Sequence, residues 1–119
     1  MNKTLSDNIN EIINDINSHR GDWDAQYLAE KRIELSTWLA NLNEKIAEFE
    51  HQYYVVCQMA IDKDPSLSFA KAQNMAKAGD EYLKLRKAQG LEKAVVEMVR
   101  SINRFIRLKE NEQELSRTN

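Results

Sequence analysis

The chain has 119 residues, 42% hydrophobic and 30% charged, which is the length of one domain with apolar material for a thin core. Its single cysteine excludes an internal disulfide. No apolar run approaches the 18 residues of a membrane span, and the segment MNKTLSDNINEII lacks the apolar stretch of a secretory signal. The formal charge of -2 conceals an asymmetry, because residues 1–62 hold five Lys or Arg against eleven Asp or Glu while residues 63–119 hold twelve against eight.

Three glycines and one proline leave almost no punctuation, and the abundance of Ala, Leu, Glu, Lys and Arg predicts an all-α fold. The first helix (about 4–19) starts at Thr4, with Asp7 three residues on to complete a capping box. Leu5, Ile9, Ile12, Ile13 and Ile16 share one face, and Gly21 supplies a left-handed residue to end the helix. The second (about 24–62) is capped by Asp22 or Asp24. Leu28, Leu35, Leu39, Leu42, Ile46, Phe49, Tyr53, Val56 and Ala60 step along it by threes and fours, with Arg32 interrupting the series. A seam of that length asks for a partner helix.

The third helix (about 66–110) is capped by Asp64, Ser66 or Ser68, with Pro65 tolerated in its first turn. Phe69, Ala72, Ala76, Gly79 and Leu83 form one stripe, and Leu91, Val95, Met98, Ile102 and Phe105 another. A short connection between long helices forces an antiparallel hairpin. Folding at 64–66 places Tyr53 and Val56 opposite Ala76 and Gly79, so that small residues receive aromatic ones. The expectation is a single helical domain over residues 1–119. It is a long coiled-coil-like hairpin with the N-terminal helix packed at its open end and residues 111–119 as a frayed tail.

Chemistry-bearing patterns are sparse. Cys57 lies in the apolar run YYVVC with no basic neighbour and reads as a packed small hydrophobe. Glu48-x-x-His51, with Glu44 a turn earlier, has the spacing of a di-iron ligand pair, but a second such pair is missing. Asp80 and Glu81 are vicinal and point apart on a helix. No catalytic residue, metal or cofactor is expected, and the chain does not read as an enzyme.

Two surfaces stand out. A two-helix tip cannot bury Tyr54, Val55, Met59 and Met75, which predicts an oligomer, dimer or higher, or a protein partner at these residues. Arg100, Arg104 and Arg107 project from one face at spacings of four and three. They suit a nucleic-acid backbone or an anionic nucleotide. The competing expectation is internal pairing, Arg100 with Glu30 and Glu34 and Arg107 with Asp24.

Ala70-Lys71-Ala72, Ala76-Lys77-Ala78, Glu81-Tyr82, Lys87-Ala88 and Leu91-Glu92-Lys93 follow in order, and Glu97-Met98-Val99-Arg100-Ser101-Ile102 fits an "ExxRSI"-like ending. Over about residues 65–106 the chain resembles the second half of small helical-hairpin proteins encoded in phages and prophages of Gram-positive bacteria. The resemblance implies a phage accessory protein in the cytoplasm of a bacterial host cell. The leading expectation is a non-enzymatic interaction module, with modulation of a host or phage nucleic-acid or defence machine as its role. The alternative is direct binding of nucleic acid or nucleotide by the arginine row.

Overall fold

The computed structural model describes residues 2–118, and among these all regular structure is helical. In chain order the elements are α1 (Leu5–Ser18), a short 3-10 turn (Arg20–Asp22), α2 (Ala25–Lys63), α3 (Phe69–Ala76) and α4 (Asp80–Thr118). Helices α2 and α4 pack against each other as the two arms of an all-α hairpin. The α1 capping box forms as its sequence predicts: Thr4 Oγ1 accepts from the Asp7 amide at 3.0 Å, and Asp7 Oδ2 accepts from the Thr4 amide at 3.1 Å. Asp24 caps α2, its Oδ1 accepting from the Tyr27 amide at 2.8 Å. Ser68 caps α3 by accepting from the Lys71 amide at 3.2 Å.

The chain divides into two compact units, residues 1–41 with 93–119, and residues 42–92. In the first, three helices share a core of Ile9 and Ile16 from α1, Leu28 and Leu35 from α2, and Val95, Met98 and Ile102 from α4. Trp23 ties this unit together. Its indole N–H donates to the Ile16 carbonyl at 2.9 Å, its ring meets Phe105 edge-on at 5.6 Å, and the Arg20 guanidinium lies 4.9 Å from its centre. Arg32, the interruption in the α2 seam, is half-buried and donates to Asn103 Oδ1 at 2.7 Å, so its place in the seam is a polar cross-link.

The second unit has a thinner core. Leu42, Ile46, Tyr53 and Cys57 of α2 lie against Ala72 and Ala76 of α3 and Leu85 and Ala88 of α4. Small residues admit the aromatic ones: the Tyr53 hydroxyl reaches the Gln73 carbonyl at 3.4 Å, and its ring lies 5.5 Å from that of Tyr82. Cys57 is fully buried, which fits a packed thiol.

Several expectations need correction. The third helix is interrupted at Lys77–Gly79, where the Gly79 amide donates to the Ala76 carbonyl at 3.0 Å and helical bonding restarts when the Leu83 amide reaches Gly79. This break shifts the inward face of α4 to Leu85 and Ala88, so Leu83 is exposed; Phe69, in the first turn of α3, is exposed as well. Pro65 lies in the connecting turn, ahead of α3. Helix α1 does not end on a left-handed glycine: no glycine has positive φ, and the last turn is closed by the Ser18 hydroxyl donating to the Asp15 carbonyl at 2.8 Å. Of residues 111–119, expected to fray, 111–118 continue α4, which their Glu, Gln, Leu and Arg content favours and a Lys109–Glu112 pair at 3.4 Å supports, and Asn119 lies outside the described residues.

Candidate docking face and basic row

The four residues singled out as uncovered are all solvent-exposed: Tyr54 by 54%, Val55 by 42%, Met59 by 58% and Met75 by 59%. They do not form one patch. Tyr53 points inward on α2, and helical spacing puts Tyr54 on one side of that direction and Val55 with Met59 on the other. His51, Gln52, Val55, Val56 and Met59 of α2, with Glu81 of α4, line a shallow groove of about 270 Å³. Met75 flanks the inward-facing Ala72 and Ala76 on this same side of the second unit. Glu44 and Glu48 continue the groove side of α2 toward its N-terminus, whereas Lys84 and Lys87 continue the Glu81 side of α4. The face is therefore apolar at Val55, Met59 and Met75, with Glu44 and the Lys45–Glu48 pair along α2, and Asp80 and Glu81 followed by Lys84 and Lys87 along α4.

Arg100, Arg104 and Arg107 are exposed on α4 in the first unit, and Lys93, seven residues before Arg100, shares their face. The expected internal pairing does not form. Among the described residues none of the three arginines has an ion pair: Glu34 is engaged by Lys31 at 3.2 Å, Asp24 is used as the α2 cap, and Glu30 forms no ion pair with Arg100. Among the described residues the charge of this row has no ionic partner, and Glu97 interrupts it.

One polar cluster escaped the sequence reading. Asp15 Oδ2 of α1 accepts from the Tyr27 hydroxyl at 2.8 Å and from Lys31 Nζ at 3.2 Å, both on α2, while Lys31 also meets Glu34. The His19 ring packs 5.4 Å from that of Tyr27, and its Nδ1 lies 2.8 Å from the Asp15 carbonyl. Hydrogen bonds from Tyr27 and then Lys31 hold the Asp15 carboxyl below its ordinary 3.8. Burial, then the bond to Asp15, pushes the Tyr27 hydroxyl up to about 12. Lys31 loses by desolvation, but its bonds to Glu34 and Asp15 outweigh that and raise its pKa. The arrangement clamps α1 onto α2.

This clamp predicts a stability plateau with two edges. A lowered folded pKa makes the Asp15 contribution complete above the unfolded value near 3.8 and lost as pH falls through the folded one. A raised folded pKa makes the Tyr27 contribution complete below 10 and lost as pH rises from 10 toward about 12. Urea midpoints measured against pH should fall at both edges. In Asp15→Asn with Tyr27→Phe both losses should be reduced, and an unchanged profile would show that the clamp carries no linkage.

Glu44, Glu48 and His51 are exposed on α2. Among the described residues no group of three or more His, Cys, Asp or Glu is arranged to hold a metal ion. Among them, too, no helix is long and apolar enough to cross a membrane. A hollow of about 460 Å³ is lined, among the described residues, by Lys109, Glu112, Gln113, Ser116 and Arg117 of the last turns of α4. No protein-family model, curated protein or solved structure matches this chain.

Proposed function

We propose that the protein is a non-enzymatic interaction module that docks a protein partner through the Val55, Met59 and Met75 face of its second unit. The observation that carries this reading is the exposure of these side chains, 42%, 58% and 59%, on regular helices that a two-helix layer leaves uncovered. A thin hairpin gains most from a further layer at its open apolar side. The resemblance of residues 65–106 to phage-encoded hairpins extends the proposal to an accessory role toward a host or phage nucleic-acid or defence machine. The bacterial cytoplasm is the place for it.

A second reading rests on a separate observation, the absence of ion pairs at Arg100, Arg104 and Arg107 among the described residues. An unpaired row on the solvent side of a helix is available to phosphates, and such binding weakens steeply with salt.

Affinity purification of three forms from producing cells, with mass spectrometry of retained proteins and nucleic acid, separates the readings. The native chain and the Arg100→Gln, Arg104→Gln, Arg107→Gln variant should retain the same proteins, and Val55→Glu with Met59→Glu should lose them. Equal retention by all three, of an untagged second copy of the chain as well as of other proteins, would overturn docking at this face. Loss of nucleic acid by the arginine variant alone, with its melting temperature unchanged, would make phosphate binding the function.

A further inference from the structure

Among the described residues, the docking face carries charges that have no ionic partner. Within the second unit, residues 42–62 of α2 hold Glu44, Glu48, Glu50 and Asp62 against Lys45. Residues 69–92 of α3 and α4 hold Lys71, Lys77, Lys84, Arg86 and Lys87 against Asp80, Glu81 and Glu92. Of these, Lys45 and Glu48 form the ion pair found among the described residues, at 3.2 Å. Glu44 on the acidic arm and Lys84 and Lys87 on the basic arm have no ionic partner there.

A surface with an acidic strip beside a basic one is complementary to itself under one particular rotation. A two-fold axis running parallel to the helices exchanges the arms. It lays α2 of one copy over the α3–α4 arm of the other and leaves each residue near its own height along the hairpin. Within one chain the Tyr53–Tyr82 ring contact and the shared groove of Val55 and Glu81 fix those heights. Lys84 and Lys87 lie level with the stretch from Glu48 to Gln52, and Met75 lies two residues beyond Gln73, whose carbonyl the Tyr53 hydroxyl reaches. Opposite a second copy, the acidic strip therefore meets the partner's basic strip, and Val55 and Met59 meet the partner's Met75. A two-fold axis perpendicular to the helices would stack α2 on α2 and set acid against acid.

We infer that the occupant of this face is a second copy of the chain, paired about a two-fold axis parallel to the helices, with the acidic strip of α2 on the basic strip of the partner's α4. The inference rests on the reading of the face as a docking surface and names what docks there. Apolar contact supplies the affinity, and the charges set the register and exclude other pairings. Each pairing completes a four-helix layer around the small core of Tyr53, Cys57, Ala72 and Ala76.

Charge reversal tests this directly. Glu44→Lys with Glu48→Lys sets basic against basic at both contacts of its own dimer, and Lys84→Glu with Lys87→Glu sets acid against acid. Each variant alone should sediment as one chain, and an equimolar mixture should restore the two-chain mass of the native protein. All four positions are solvent-exposed, so circular dichroism should show native helix content in both. Should either variant lose helix, Glu48→Cys mixed with Lys87→Cys replaces it: disulfide capture between the two variants supports the pairing, and its absence overturns it. A native protein that sediments as one chain at tens of micromolar overturns self-pairing and leaves the affinity experiment above to decide docking. Variants that stay dimeric alone, or a mixture that stays monomeric, overturn the proposed register.

Discussion

Ile102→Ala is expected to destabilise the protein by about 2–5 kcal/mol, the range for truncating a fully buried aliphatic side chain. Ile102 has no exposed surface, and it belongs to the layer of Ile9, Ile16, Leu28, Leu35 and Val95 that α1, α2 and α4 build together. Three helices braced by the Trp23 indole bond and the Arg32–Asn103 bond have little room to collapse into the space left behind. Urea denaturation followed by far-ultraviolet dichroism checks the value. Ile33→Ala is the control: Ile33 is 67% exposed, and its loss should change stability by no more than about 0.5 kcal/mol. Equal effects at the two positions would mean that the α2 seam is rotated from its assigned face.

The second large effect falls on association. Val55→Glu with Met59→Glu should leave helix content intact, because both side chains already meet solvent, and should reduce pairing by about a thousandfold. Full burial of such a side chain is favourable by about 1.5–3 kcal/mol, and half-exposed ones have about half of that still to gain. A two-fold interface uses each residue twice, so the apolar loss alone is about 4 kcal/mol, close to three decades in affinity. Sedimentation should then report single chains of 13.9 kDa at concentrations where the native protein is paired. Persistence of the paired mass would place the interface elsewhere.

The parts of the fold that were legible in the sequence are those set by local periodicity. Leu28, Leu35, Leu42 and Ile46 recur at intervals of seven, seven and four residues because one helix face must be dry, and all four are buried. Thr4 and Asp7 announce a capping box because two short side chains at that spacing reach each other's amides whatever the tertiary context. The exposed residues at the tip were legible for the same reason, since apolar positions off the seam of a two-helix layer have nothing to pack against.

What stayed hidden depends on choices between nearly equal alternatives or on distant partners. Gly79 weakens a helix by about 1 kcal/mol against alanine, which is too little to decide from sequence whether the chain continues or restarts there. The clamp of Asp15 with Tyr27 and Lys31 joins two helices through side chains that show no common spacing. The arginine row illustrates competition. Glu34 and Asp24 lie at suitable heights for Arg100 and Arg107, but Lys31 and the α2 N-terminus, both closer in sequence, already hold them. Long, exposed arginines gain too little from such pairs to displace those partners.

Cover over the Val55, Met59 and Met75 face in the working protein is read from the rate of methionine oxidation. Met59 and Met75 are 58% and 59% exposed in the single chain, whereas Met98 is buried at 7% and serves as the internal standard. Dilute peroxide, with each methionine followed by mass spectrometry at tens of micromolar protein, reads all three at once. If the face is covered, Met59 and Met75 react nearly as slowly as Met98, and the Val55→Glu, Met59→Glu variant exposes Met75 to fast oxidation. Fast oxidation of Met59 and Met75 in the native protein at every concentration would contradict the account.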